Sequence, residues 1–238
     1  MSESLRIALV AEGETDKAVV SAAIAALVGD RSFILRLLQP EDSLALEPAG
    51  PFTGVKSGGW CGVYRWCQDV VGRSGRLSDD PLFLAYDILI MHLDADVAGK
   101  SYADCSIDDP VNDLPCEQPC PPPAASTDRL RQLLLRWVGE TQSPPRTVLC
   151  TPSKSIEAWV MAALFPQDAE MRRRGWECHP EPAGRLAQQP SAVRIRKSKA
   201  DYLAKQSDIT GAWPRLCGHM TEAARFSDDF RRAVAALP

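Results

Sequence analysis

The chain has 238 residues, 45% of them hydrophobic, with a formal net charge of −4. That is enough apolar material for one large domain, or one domain with a small lobe. It excludes a globally basic nucleic-acid binder, though not a local basic face. No apolar run approaches the ~18 residues of a membrane span, and MSESLRIALV lacks the basic start and long apolar stretch of a signal peptide. A cytoplasmic protein is therefore expected. The eight cysteines are scattered, which in a reducing compartment predicts plain thiols. CEQPC, with Cys116 and Cys120 and with Cys105 upstream, leaves structural zinc as an alternative, although C-x₂-C pairs and a nearby histidine are missing.

Residues 5 to 11 (LRIALVA) are short, continuous and aliphatic, and predict a buried strand. Glu12-Gly13 is the turn. A helix over 14–28 follows, with Val20, Ile24, Leu27 and Val28 on one face and Gly29 as a stop. FILRLLQ (33–39) predicts a second strand. A Pro- and Gly-rich connection then runs to Trp60, where a helix to about Val71 is expected, and GRSGRLSDDP is a further exposed connection.

DILIMHL (87–93) is the clearest strand of the chain. From Ala98 to Ala125 periodicity is lost and a long loop is expected. Residues 127–139 carry Leu130, Leu133, Leu134 and Trp137 at helical spacing, with Ser126 or Thr127 as cap. TVLC (147–150) is a short strand, and SIEAWVMAALF (155–165) a helix with Ile156, Trp159, Val160, Ala163 and Leu164 facing the core. Alternating strands and helices predict an α/β fold with a mostly parallel central sheet flanked by helices. After Pro166 the composition turns basic and polar, so residues 1–165 are expected to form the main domain and 166–238 a smaller, mainly helical C-terminal lobe.

Chemistry concentrates at two strand ends. IALVAEGETD (7–16) and DILIMHLDAD (87–96) each run from branched aliphatics straight into carboxylates. A buried acid is costly unless a cation sits beside it, and ligands in open α/β sheets bind outside the carboxyl ends of the strands. Glu12, Asp94 and Asp96 are therefore expected to converge on Mg²⁺ or Mn²⁺, with the two aspartates of D-x-D pointing the same way along an extended segment. Glu14 suits a first helical turn, and Asp16 could join the metal site, bridge Glu12 to the loop with Thr15, or simply face water. Glu157 could too, although an acid there also suits its own helix start. Lys154 precedes that helix and could contact a phosphate, or simply be a solvated turn lysine. His92 could assist proton transfer, although a lone strand histidine is more often a packed core residue. His179 and His219 carry little signal.

The run Arg194, Arg196, Lys197 and Lys199 places four cations within six residues and is the candidate nucleic-acid contact, helped by Arg172, Arg173 and Arg174. Lys56 with Gly58-Gly59 has the flavour of an anion-binding loop, without the full pattern of an ATP-binding loop. The aromatics of GGWCGVYRW could serve an interface, with core packing the commoner role.

E-G-x-T-D after the first strand and D-x-D after a later one resemble the Toprim domain of topoisomerases, bacterial primases and overcoming-lysogenization-defect-type nucleases. The likeness is closest to small stand-alone Toprim-like proteins, many encoded beside ATPase genes in prokaryotic defence islands. It covers roughly residues 5–165, and takes in Glu157 and the SKADYL stretch. The resemblance implies that Glu12 is the Toprim glutamate, a general acid or base or a metal ligand, and that Asp94 and Asp96 hold Mg²⁺. It further implies a Mg²⁺-dependent nuclease acting on DNA or RNA, or a subunit kept inactive until a partner ATPase releases it. The topoisomerase nucleophilic tyrosine and the primase zinc module have no counterpart here. A nucleotide-sugar transferase using D-x-D with Mn²⁺ is a third reading, which leaves Glu12 without a role. Homo-oligomerisation is left open.

Overall fold

The computed structural model describes residues 3–40, 58–107 and 113–237. Lys56 lies outside them. The elements are β1 (Leu5–Val10), α1 (Glu14–Val28), β2 (Phe33–Gln39), α2 (Gly59–Ser74), α3 (Leu82–Ala85), β3 (Ile88–His92), α4 (Ala124–Trp137), β4 (Thr147–Cys150), α5 (Glu157–Leu164), α6 (Ala169–Arg174), α7 (Pro182–Ala187), α8 (Lys199–Ala204), α9 (Gln206–Cys217) and α10 (Thr221–Ala235). The four strands pair in the order β2-β1-β3-β4, all parallel. The expected α/β class with a parallel sheet flanked by helices is what forms. Because every strand runs the same way, all four carboxyl ends open on one edge.

Strand parity sorts the core into two layers. Ile7, Leu9, Ile88, Ile90, Val148 and Cys150 face α1, α5, α9 and α10, where Trp159, Trp213 and Phe226 pack edge-on and tilted against one another. Ala8, Val10, Leu89, Met91 and Leu149 face α2 and α4. On that side Trp60 and Tyr64 of GGWCGVYRW pack against Tyr102 and Trp137, so these aromatics are core. Residues beyond 166 share the first layer: Tyr202, Trp213 and Phe226 are buried in the same cluster as Ile7 and Trp159. The sheet face that α1 and α5 cover is therefore completed by α9 and α10.

Three local expectations are corrected. Helix α4 begins at Ala124 with Pro123 (φ −60°, ψ −33°) at its cap, not at Ser126 or Thr127. The proline's fixed φ already suits a helix start, so Thr127 falls inside, fully buried, donating to Pro123 O and Glu222 Oε1. The stretch after Asp96 is not wholly irregular, since 3₁₀ turns form at Ala95–Val97 and Tyr102–Cys105. The cysteines are not all thiols either. Cys61 pairs with Cys105 and Cys120 with Cys178. Cys116 and Cys120 therefore do not form a zinc pair, and Cys116 is left as an exposed thiol. Among the described residues no helix is long and apolar enough to cross a membrane.

Candidate metal centre

The turn after β1 sets the first acid. Gly59, in a left-handed conformation (φ +73°), donates its amide to Glu12 O at 2.7 Å. A Cβ on Gly58 would come within 3.4 Å of that same oxygen. The Gly-Gly pair thus packs α2 tightly onto the β1 turn. Glu12 Oε1 then accepts the Asp94 amide at 2.8 Å, a direct link between the ends of β1 and β3. Asp94 Oδ1 in turn accepts the Ile156 amide at 2.9 Å, which ties it to the start of α5. The Asp96 amide donates to Lys154 O at 2.9 Å. Lys154 itself adopts a positive φ of 64° there.

His92 closes the floor of the site. It follows Ile88 and Ile90 in parity, so its ring lies on the α1 side of the sheet, fully buried. Nε2 lies 3.2 Å from Asp94 Oδ1 and Nδ1 3.6 Å from Asp16 Oδ2. Neither nitrogen makes a hydrogen bond, Nδ1 being too distant and Nε2 poorly aligned. Asp16 is held by the Gly13 amide, which donates to its Oδ2 at 2.7 Å at the start of α1. One oxygen each of Glu12 and Asp94 and a ring nitrogen of His92 lie within 4.8 Å of one another.

These groups perturb one another strongly. Burial pushes the Glu12 carboxyl up to about 7, against the pull of the His92 ring and the Asp94 amide. Burial also raises Asp94 and Asp16, despite His92. For His92, burial acts downward, but Asp16, Asp94 and Glu12 outweigh it and lift the ring to about 9. Carboxylates that resist ionising, crowded around one ring, form a site that is short of positive charge.

An open cleft of about 460 Å³ lies above. It is lined by Glu12, Asp16, Asp94, Asp96, Lys154, Glu157 and Lys197, and also by Ser155 and residues 180–184, which lead into α7. Of the acids expected to converge, Glu12 and Asp94 do so at the floor. Asp96 lines the cleft but is half exposed and paired with Lys100 at 3.1 Å. The chain turns into a 3₁₀ helix at Ala95, so the two aspartates do not stand side by side on an extended segment. Glu157 is the first residue of α5. Burial raises its carboxyl, but Lys197 at 3.2 Å, with hydrogen bonds from Ser155 and the Glu157 amide, outweighs this and the net direction is down. Tyr202 Oη donates to the same carboxylate at 3.5 Å.

The cations divide. Lys154 pairs with Glu117 and has its pKa lowered by burial. The run Arg194–Lys199 does not present one outward basic face. Lys197 and Lys199 turn toward the acidic edge, onto Glu157 and Glu14, whereas Arg194 donates to Gln189 O and Arg196 stays exposed at the surface. Arg172, Arg173 and Arg174 are exposed on α6, away from the cleft lining. The role of His92 could be found in the sequence only by extending strand parity one residue past the aliphatic run. Residues 180–184, at the start of α7, carry no signal at all, because they reach the cleft only through the packing of α7 beside α5.

A scan against protein-family models, a search of curated proteins and a search of solved structures each return no match for this chain.

Proposed function

We propose that the protein is a divalent-metal-dependent phosphodiesterase of Toprim-like type, cleaving DNA or RNA. The observation that carries this reading is the convergence of Glu12, His92 and Asp94 within 4.8 Å at the carboxyl edge of a parallel sheet. The donor set fits a divalent cation: two hard oxygens, with the His92 nitrogens buried and unbonded beside them. Glu12 and Asp94 would hold the ion at the floor, with Asp96 at the rim. Bound there, the ion supplies the positive charge that neutralises a phosphate oxygen and makes water more acidic.

The chain's own residues would do the rest. The Asp94–Ile156 and Glu12–Asp94 hydrogen bonds fix the acids before any ligand arrives, which lowers the cost of orienting them. Lys154 and Lys197 flank the cleft, where they would take phosphate oxygens on either side of the scissile bond.

A second reading has its own support. Lys154, Lys197 and Lys199 each already hold a carboxylate, on Glu117, Glu157 and Glu14. A chain in this state would have to release them to seat a polyanion. That favours an activity switched on by substrate or by a partner such as an ATPase, as a defence effector requires.

Purified protein should degrade plasmid DNA or RNA only when Mg²⁺ or Mn²⁺ is added, and Asp94→Ala should remove that activity without unfolding the chain. Cleavage that survives EDTA, or that Asp94→Ala leaves intact, sinks the reading. Cleavage appearing only with a partner selects the switched form. Sugar release from a nucleotide sugar would instead support transferase chemistry.

A further inference from the structure

We propose that His92 is a ligand of the ion at this site, making it a mixed nitrogen–oxygen centre that selects Mn²⁺ and related first-row transition ions over Mg²⁺. The inference rests on the metal-dependent reading above and adds to it the class of metal.

Geometry comes first. Two donors at right angles on an ion, each about 2.1 Å from it, stand about 3 Å apart. His92 Nε2 and Asp94 Oδ1 are separated by 3.2 Å. The full set of Glu12, His92 and Asp94 donor atoms, within 4.8 Å of one another, needs only a small contraction to share one centre.

The ring is also oriented for it. Nδ1 faces Asp16 Oδ2 at 3.6 Å, and Asp16 is itself pinned by the Gly13 amide at 2.7 Å. A carboxylate behind one ring nitrogen that leaves the other for a metal is a recurrent second layer of histidine metal sites. His92 is fully buried, and neither of its nitrogens makes a hydrogen bond. The two carboxylates beside it, at 3.2 and 3.6 Å, attract the ring without satisfying either nitrogen as a hydrogen-bond partner, and a buried polar ring left in that state is costly unless something completes it.

The third carboxylate that an all-oxygen site would use is engaged elsewhere. Asp96 is half exposed, sits on a 3₁₀ turn and pairs with Lys100. The compact donor set is therefore two oxygens and one nitrogen. Mg²⁺ favours oxygen ligands and gives up its water reluctantly, whereas imidazole binds transition ions increasingly well along the first row.

The test uses the full chain loaded with Mn²⁺ and read by pulsed electron paramagnetic resonance. The bound ion is expected to show a ¹⁴N coupling from a directly attached imidazole. His92→Gln should abolish that coupling and weaken Mn²⁺ binding roughly 10–100-fold, while changing Mg²⁺ binding by less than about threefold. The chain has three histidines, His92, His179 and His219. If His92→Gln fails to fold, a coupling retained in the His179→Gln/His219→Gln double variant assigns it to His92. Mn²⁺ bound in an Asp94-dependent way but without ¹⁴N coupling overturns the role of His92 and leaves the metal-dependent reading standing. No Mn²⁺ or Mg²⁺ binding at all overturns both.

Discussion

Two acidic clusters in this protein have opposite electrostatics. At Asp168 the carboxylate caps α6, accepting the Glu170 and Met171 amides at 3.1 and 3.0 Å. It also takes Arg185 Nε at 2.9 Å and Gln189 Nε2 at 3.0 Å. Burial alone would raise this acid, but Arg185 and these donors hold it down at about 2. At the sheet edge, Glu12, Asp16 and Asp94 share one histidine, and all three carboxyls are raised by burial. One cluster is complete within the chain, while the other leaves its negative charge only partly compensated. The contrast separates an acid that holds the fold together from acids kept ready for something to arrive.

The sharpest way to break this contrast is Asp94→Ala. It should cut metal-dependent cleavage by at least about 10³-fold, measured on plasmid or RNA, because it removes an ion-holding oxygen. Glu12→Gln should lower cleavage by on the order of 10²-fold. The same change should raise stability at pH 8 by on the order of 1 kcal/mol in urea denaturation, since a neutral amide suits that burial better than a carboxylate. A loss of stability would mean that the Glu12 charge is already matched inside the chain.

The Asp168 cluster should behave in reverse. Asp168→Ala is expected to cost about 2–3 kcal/mol of stability, through the lost cap and the stranded Arg185, with cleavage retained. Its pH dependence has a defined sign. The folded carboxyl titrates near 2 and the unfolded one near 3.8, so its contribution is whole above the unfolded value and is lost as pH falls toward 2. Asp168→Asn should flatten that acid limb in a melting-temperature series, and an unchanged limb would refute the assignment. The smallest effect is expected at the rim. Lys197→Ala should weaken nucleic-acid binding by about tenfold or less and reduce the salt slope by about 1. An effect independent of salt would place Lys197 with Glu157 as a structural pair only.

Much of the architecture could be read from the residues in order. LRIALV, FILRLLQ, DILIMHL and TVLC are aliphatic runs of strand length, and each became a strand of one parallel sheet. The acidic ends of the first and third could be read as well, because a parallel sheet must bring its carboxyl ends to one edge. The part that did not follow lies where the chain leaves regular structure. The D-x-D was expected to be extended, but Ala95 begins a 3₁₀ turn and sends Asp96 to Lys100. Lys197 and Lys199 read as one basic run, yet they reach Glu157 and Glu14 on α5 and α1.

Hydrophobic period and the chemistry of strand ends were sufficient for the fold class, the four strands, and the placing of Glu12 and Asp94 together, since these depend on neighbours in the chain and on a rule common to parallel sheets. Which third group joins them, which cysteines pair, and which cations reach the acids of α1 and α5 were decided by folding alone. Those choices depend on distances between segments far apart in sequence, such as His92 to Asp16 and Cys120 to Cys178. No local pattern encodes such distances, because they are set by which strands pair and how the helices pack on the two faces of the sheet, over separations of tens of residues.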